Sequence, residues 1–166
     1  MARLVLVGLP GVGKTTVARL VAAWWSCDVR DTDDVIATAV DCSCAQYLRS
    51  RGQEAFRHAE LAALQSVLTS DAVVATGGGI VTIDAARDLL RGEMTLWLDC
   101  SDEVLLHRLA PGDRPLIGPD AAQSLQLLRH ERDAWYRDVA RARIDASGSV
   151  DEVAQRVRDT ASEITR

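Results

Sequence analysis

Two residue types are missing or nearly missing from this chain. Its 166 residues include no asparagine, and lysine occurs once, at Lys14, beside eighteen arginines. Without asparagine the chain cannot carry the Asn-Lys-x-Asp motif that reads guanine, which argues against a GTPase switch. A preference for arginine can follow from genomic composition, but the single lysine falls inside a glycine-rich loop and is therefore a candidate functional group.

Long apolar runs and an excess of positive charge are missing too. Nineteen Lys and Arg against 24 Asp and Glu give a net charge of −5, so we expect neither nucleic acid nor a membrane as a partner. The apolar run at 4–7 is too short for a signal peptide, which predicts a cytoplasmic protein. A chain of this length suits one domain spanning 1–166 and lacks room for the second subdomain of a motor or helicase.

Cysteine and histidine are too few and too scattered to build a metal or disulfide framework. The cysteines are Cys27, Cys42, Cys44 and Cys100, and the histidines are His58, His107 and His130. No second ligand pair stands at zinc-finger spacing from Cys42 and Cys44. We therefore interpret these side chains as structural or incidental.

Short apolar runs alternate with longer segments of helical period, which is typical of an α/β domain around a parallel sheet. The pattern predicts strands near 3–7, 28–30, 72–75, 94–98 and 142–145. It predicts helices near 14–25, 33–39, 43–50, 53–69, 82–91, 101–108, 120–139 and 150–164. Residues 109–119 hold three of the four prolines, which predicts a loop that acts as a mobile lid.

Residues 8–15, GLPGVGKT, match the phosphate-binding pattern G-x-x-x-x-G-K-[ST] between a predicted strand and a predicted helix. The glycines let backbone N–H groups turn toward a phosphate, and the helix N-terminus adds its positive dipole end. Lys14 is positioned to reach the β- and γ-phosphates of ATP, and the Thr15 hydroxyl to coordinate Mg²⁺. Among proteins with this loop, a small-molecule phosphotransferase fits the length and the missing guanine motif.

The second predicted strand runs into Asp31-Thr32-Asp33-Asp34, at the sheet edge that faces a phosphate site. One acid can hold Mg²⁺ through water while another accepts a hydrogen bond from the attacking hydroxyl. The alternative is that Asp33 or Asp34 merely caps the next helix. Asp99, after an apolar run, also fits a metal-binding acid, but Asp31 has the better claim.

Three consecutive glycines, Gly77, Gly78 and Gly79, follow the third predicted strand. Glycines at a strand end let another group approach the backbone closely, and their N–H groups could receive a carboxylate. Arg57 lies on a predicted helix earlier in the chain. Taken alone, it is interpreted as a solvated helix arginine.

These residues together resemble the shikimate kinase family. The likeness runs from Arg3 to about Ala154 and includes the phosphate loop, DTD at 31–33, FR at 56–57, GGG at 77–79, RPL at 114–116 and R-x-x-x-Y at 132–136. It implies a three-layer P-loop kinase fold, with a five-stranded parallel sheet, helices on both faces, a substrate-binding helical insert about 33–60 and the lid. It also implies ATP-dependent phosphorylation of the 3-hydroxyl of shikimate by a monomer that uses Mg²⁺.

The resemblance also implies a role for each matching residue. Lys14, Asp33 and Arg114 are then catalytic, with Asp33 contacting the substrate hydroxyls and Arg114 closing over the transferring phosphoryl group. Thr15 binds the metal, and Asp31 reaches it through water. The ATP-binding residues are Gly11, Val12, Gly13, Lys14, Thr15, Thr16, Arg108, which stacks on adenine, and Arg114. The substrate-binding residues are Asp33, Phe56, Arg57, Gly77, Gly78, Gly79 and Arg132.

The sequence departs from the family pattern at several places that shape the pocket. The spacing from Arg108 to Arg114 is slightly short, the segment at 147–149 lacks a proline, and Asp41-Cys42-Ser43-Cys44 and Ala134-Trp135 replace other residues. A kinase for a related cyclitol acid, gluconate or a nucleoside monophosphate therefore stays open. A catalytically silent nucleotide-binding regulator is the alternative from another class.

Overall fold

The structure is a computed structural model, and it describes residues 1–109 and 120–166. The strands are β1 Leu4–Val7, β2 Asp28–Asp31, β3 Ala72–Ala75, β4 Thr95–Asp99 and β5 Ala142–Asp145. The helices are α1 Lys14–Trp24, α2 Thr32–Val40, α3 Cys44–Leu68, α4 Asp84–Arg91, α5 Asp102–Leu109, α6 Ala121–Val139 and α7 Val150–Ile164. A 3₁₀ turn at Ile80–Thr82 precedes α4. The predicted lid lies outside the described residues except for Leu109, which ends α5.

All five strands pair in parallel, in the order β2-β3-β1-β4-β5. The three inner strands are buried along their whole length, whereas β2 and β5 are partly exposed at the edges. Continuous apolar strands are what a parallel sheet covered on both faces requires. The predicted five-stranded α/β fold is confirmed.

Helices cover the two faces of this sheet as separate pairs, with α1 packed against α7 and α4 against α6. Val17 and Val21 of α1 and Val153 and Val157 of α7 are buried in one hydrophobic core with the strands. Burial of apolar side chains supplies the main favourable term in folding, so the helical stripe in α7 reflects its packing role. Within the described ranges no helix is both long and apolar enough to cross a membrane.

The segment between β2 and β3 carries α2 and α3, which pack against each other. Ser43 caps α3 through a reciprocal pair of hydrogen bonds with Gln46. Gly52 interrupts α3 with φ 84° and ψ 172°, a conformation that glycine adopts most easily. The two helices predicted at 43–50 and 53–69 are therefore two arms of α3, on either side of a kink.

Candidate active site

The carboxyl ends of β1, β2 and β3 bring together most of the predicted site residues. In an open parallel sheet, ligands bind in the crevice at this edge. The phosphate loop joins β1 to α1, and three of its glycines have positive φ: Gly8 148°, Gly11 83° and Gly13 105°. Gly13 stands directly before the first residue of α1, so the positive end of the helix dipole faces the loop.

Lys14 is the first residue of α1, and it is buried under the phosphate loop. Its Nζ donates hydrogen bonds to the carbonyl oxygens of Gly8, at 2.8 Å, and Leu9, at 2.9 Å. These bonds hold the ammonium group inside the curve of the loop. Val12 is buried beside it, and Thr16 is exposed on the first turn of α1.

The Thr15 hydroxyl donates a hydrogen bond of 2.6 Å to Oδ2 of Asp31, the last residue of β2. Oδ1 of Asp31 accepts from the backbone N–H of Asp33 at 2.9 Å and caps α2. The alternative that Asp33 or Asp34 caps this helix is therefore wrong, because the cap is Asp31. The Asp33 carboxylate is therefore not the cap of α2.

The pair Thr15 and Asp31 fits a magnesium site of the kind found with nucleotides. Mg²⁺ prefers oxygen ligands and takes one or two from the protein, with phosphates and waters supplying the rest. Within the described residues no group of three or more His, Cys, Asp and Glu side chains could hold a metal by itself. A hydroxyl and a carboxylate within 2.6 Å of each other match the smaller, nucleotide-assisted type.

The Asp33 carboxylate lies against the first glycine of the triplet, since a Cβ on Gly77 would stand 2.9 Å from Asp33 Oδ1. Glu60 is equally close, with Oε1 3.1 Å from the same point. The Gly77 N–H donates to the Thr32 hydroxyl at 2.9 Å, which ties the glycine triplet to α2. Asp33, Glu60 and Gly77 therefore border one space.

Glu60 was not predicted as a site residue, although it stands three residues after Arg57 on α3, at a spacing that lets helix side chains pair. It is 2% exposed and forms an ion pair with Arg57. Burial raises the pKa of the Glu60 carboxyl, and the nearby Arg57 charge opposes that rise. The pairing aims the Arg57 guanidinium at the glycine triplet, where a Cβ on Gly79 would overlap Nη1 of Arg57. Phe56 is half-buried beside it, with its ring centroid 6.0 Å from Arg57 Cζ.

Cys44 also lies in this region, although the sequence suggested an incidental role. Its Sγ donates to the backbone oxygen of Asp33 at 3.4 Å. Burial, followed by the negative charges of Asp33, Glu60 and Asp31, raises the pKa of the Cys44 thiol to about 11. The thiol is therefore neutral and borders the acidic side of the site.

Arg132 approaches the triplet from α6, whereas Arg57 approaches it from α3. Its Nη1 donates to the Gly78 carbonyl oxygen at 3.1 Å, and the Tyr136 hydroxyl donates to the same oxygen at 2.6 Å. A Cβ on Gly78 would stand 2.7 Å from Cδ of Pro10 in the phosphate loop. Gly78 is therefore the point where the phosphate loop and α6 meet.

Arg108, on α5, connects the phosphate loop to the loop after β5. Its guanidinium donates to the carbonyl oxygens of Val12 at 3.1 Å, Ala146 at 2.9 Å and Gly148 at 3.2 Å. This position places Arg108 between the phosphate loop and the loop after β5. Arg114 lies outside the described residues.

The Asp99 carboxylate is engaged in ion pairs with two arginines. It is 3% exposed, and its two oxygens accept from Arg129 and Arg143. An ion pair on each oxygen leaves it engaged in the scaffold, in line with the preference for Asp31 as the metal-binding acid.

Comparison with known proteins identifies the family of this chain. A sequence model of the family described as shikimate kinase matches residues 10–162. A shikimate kinase of Synechococcus sp. (strain RCC307) is 39% identical over 159 residues, covering 93% of this chain and 81% of the relative. A shikimate kinase of Streptomyces avermitilis is 38% identical over 160 residues, covering 95% and 94%.

Among solved structures, a shikimate kinase from Acinetobacter baumannii in complex with shikimate superposes with a TM-score of 0.86. It is 30% identical, and the match covers 98% of this chain and 89% of that one. The family match extends over almost the whole sequence and includes most of the residues that line the sheet edge. This chain belongs to the shikimate kinase family.

Proposed function

We propose that this protein transfers the γ-phosphoryl group of ATP to the 3-hydroxyl of shikimate, giving shikimate 3-phosphate and ADP. The observation that carries the proposal is the meeting of the phosphate loop with two arginines, Arg57 and Arg132, around one glycine triplet. Such a site joins a nucleotide-binding half to a half that suits an anionic acceptor. Shikimate, the acceptor of this family, has a carboxylate that suits the two arginines and a ring hydroxyl that can take the phosphoryl group.

The nucleotide half binds ATP through backbone and charge. The N–H groups of Gly11, Val12 and Gly13 and the N-terminus of α1, with Thr16, surround the phosphates. Lys14 neutralises the negative charge on the β- and γ-phosphates during the transfer. Arg108 contacts the adenine ring from the edge it shares with the loop after β5.

Thr15 and Asp31 would hold Mg²⁺, with Asp31 acting through water. The ion, when bound, neutralises phosphate charge and orients the leaving group. Asp31 also caps α2, so the same side chain fixes the start of the helix that carries Asp33. The two acids thereby keep a set distance from each other.

The acceptor half recognises shikimate by charge and shape. The Arg57 and Arg132 guanidinium groups bind the carboxylate from two sides, with backbone of Gly77, Gly78 and Gly79 between them. Planar guanidinium forks match a carboxylate better than any other side chain does. Phe56 packs on the ring face.

In the transfer step the 3-hydroxyl oxygen attacks the γ-phosphorus in line with the leaving ADP oxygen. A new O–P bond forms as the bond to ADP breaks, and the hydroxyl proton passes to the Asp33 carboxylate. Alignment of the two reactants supplies much of the rate. Arg114, by its match to the family, adds a positive charge over the transferring group.

A coupled ADP-release assay tests the proposal directly, with Mg-ATP and separate reactions containing shikimate, quinate, gluconate and nucleoside monophosphates. Saturable release with shikimate, lost in the Asp33→Ala variant, is the expected result. Turnover with another acceptor and none with shikimate would overturn the substrate but keep the kinase. ATP binding without transfer to any acceptor would point to a regulator.

We further infer that residues 1–166 act as one domain and as a monomer. The sequence mass is 18.0 kDa. Light scattering behind size-exclusion chromatography should give that mass at assay concentrations. A mass twice as large would overturn the inference without affecting the reaction.

A further inference from the structure

Tyr136 is a polar side chain of the core to which the transfer reaction assigns no role. It is 0% exposed, and its ring stacks on Trp97 of β4 with centroids 5.8 Å apart and planes 23° apart. Burial raises the pKa of its hydroxyl, so the group stays protonated and can donate a hydrogen bond. A phenylalanine could pack against Trp97 in the same way, so packing alone does not require the hydroxyl.

The hydroxyl donates its hydrogen bond to a site atom. Its acceptor is the Gly78 carbonyl oxygen, at 2.6 Å and across 58 positions of sequence. Arg132 stands four residues earlier on α6, one helical turn away and on the same face, and donates to the same oxygen at 3.1 Å. The Gly78 carbonyl oxygen thus accepts hydrogen bonds from two side chains of α6, Arg132 and Tyr136.

Besides the Gly78 oxygen, Arg132 interacts with the side chains of Tyr136 and Glu60. Its side chain is 11% exposed, and its Nε makes no hydrogen bond within the described part of the chain, although Glu131 Oε2 lies 3.7 Å away. The bond from Nη1 to Gly78, together with the contact to Tyr136, constrains where the guanidinium points. A guanidinium carries five N–H donors, so this one bond leaves donors for an anion.

We propose that Tyr136 is a positioning residue for acceptor binding, in that its hydroxyl holds the Gly78 carbonyl and thereby orients the Arg132 guanidinium toward the acceptor carboxylate. The inference rests on the proposed function and deepens it. Tyr136 does not touch the acceptor; it acts through Gly78 and Arg132. Its ring, held by Trp97, connects this orientation to the rigid central sheet.

The first test is the Tyr136→Phe variant, which keeps the ring and removes one hydrogen bond. Loss of a bond of this kind should raise KM for shikimate about 3- to 10-fold, while kcat and KM for ATP stay within about twofold. The thermal unfolding midpoint reports any general loss of structure. An equal rise in both KM values, or unchanged KM for shikimate, would overturn the proposal.

Two further measurements separate orientation of Arg132 from packing. Shikimate methyl ester lacks the carboxylate charge, so its kcat/KM should change less than that of shikimate in Tyr136→Phe. In an Arg132→Ala background the added Tyr136→Phe change should have no further effect on KM, since the two side chains act together. A full additive effect there would overturn the proposal. If the wild type fails to phosphorylate shikimate in the same assay, the proposed function fails first; an active wild type with an unaltered variant refutes only the role of Tyr136.

Discussion

Two groups of charged side chains lie along the same edge of the sheet, and both contain a buried carboxylate and two arginines. The β4–β5 cluster consists of Asp99, Arg129 and Arg143. Arg129 Nη1 donates to Asp99 Oδ1 at 2.8 Å, and Arg143 Nε donates to Asp99 Oδ2 at 2.9 Å. Arg129 also bonds to Asp102. A cavity of about 590 Å³ lies beside this cluster, bordered by the same charged groups.

The acceptor cluster consists of Asp33, Arg57, Glu60 and Arg132. Here the arginines pair differently: Arg57 forms one ion pair with Glu60, and Arg132 donates to a backbone carbonyl. The two guanidinium groups face a shared glycine triplet instead of a common carboxylate. Their remaining N–H groups are the donors that we expect an anionic acceptor to use.

We infer from the difference that the two arginine pairs have different roles, since one pair shares a single carboxylate and the other does not. In the β4–β5 cluster both oxygens of one carboxylate accept from the two arginines, so the cluster joins β4, β5 and α6. In the acceptor cluster Arg57 pairs with Glu60, while Arg132 donates to a backbone oxygen and keeps further N–H donors. We expect the first arrangement to stabilise the fold and the second to bind a ligand.

The largest expected effect lies in the acceptor cluster. Asp33→Asn removes the proton acceptor for the attacking hydroxyl but preserves the size of the side chain, so kcat should fall roughly 10²- to 10⁴-fold. Steady-state ADP release at saturating shikimate measures this loss. A variant with near wild-type kcat would remove Asp33 from the chemistry.

The matched change in the β4–β5 cluster should affect stability and spare the reaction. Asp99→Asn leaves two arginines without their carboxylate, which should lower the free energy of unfolding by about 3 kcal/mol. Urea denaturation measures the loss, and kcat/KM for shikimate below the unfolding transition should stay within a few-fold. Loss of shikimate binding at unchanged stability would show that the β4–β5 cluster also binds the acceptor, which contradicts the contrast between the two clusters.

Much of this contrast is not predictable from sequence. The phosphate loop, the five strands and the kink at Gly52 follow from short local patterns. The contact of Tyr136 with Gly78 is not revealed by local patterns, since it spans 58 positions. Glu60 was missed although its spacing from Arg57 is local, because a helical i,i+3 pair of opposite charges is common at solvated surfaces. The capping role of Asp31 was also missed, because three aspartates within four residues satisfy the same sequence rule.

Two adjacent glycines sharpen the comparison within the acceptor cluster. A Cβ on Gly79 would overlap the flexible end of the Arg57 side chain, whereas a Cβ on Gly78 would meet Pro10 of the rigid phosphate loop, at 2.7 Å from Cδ. Gly79→Ala should therefore raise KM for shikimate roughly 10-fold through the charge-assisted bonds of Arg57, with KM for ATP unchanged.

Gly78→Ala is the control for this change, and it should raise the KM values of both substrates. Initial-rate measurements with each substrate varied separately distinguish the two patterns. If both variants weaken ATP alone, the triplet belongs to the nucleotide half.

The smallest expected signal comes from Cys44. Because burial and the carboxylates of Asp33, Glu60 and Asp31 raise its pKa to about 11, alkylation by iodoacetamide at pH 8 should be slow. The rate should rise about tenfold per pH unit up to pH 10, since only the thiolate reacts. Shikimate should protect this thiol, and mass spectrometry of the labelled peptide measures both effects.

The raised pKa of the Cys44 thiol also makes the stability of the protein depend on pH. The ordinary pKa of 9.0 describes the unfolded chain, so below pH 9 the thiol is neutral in both states and its contribution to stability is complete. As pH rises from 9 through 11, the unfolded state ionises first and the free energy of unfolding falls. A Cys44→Ser variant should lack this part of the alkaline loss.

Calorimetric titration of shikimate into the wild type, Arg132→Ala and Arg143→Ala tests the central claim most directly. Arg143 is 65% exposed, so its removal should leave a folded protein for comparison. We predict that Arg132→Ala weakens binding roughly 10- to 100-fold, the contribution of hydrogen bonds to a charged group, and that Arg143→Ala binds as the wild type does. Equal binding by the wild type and Arg132→Ala, or weakening by Arg143→Ala alone, would contradict the assignment of the acceptor site to the cluster around Gly78.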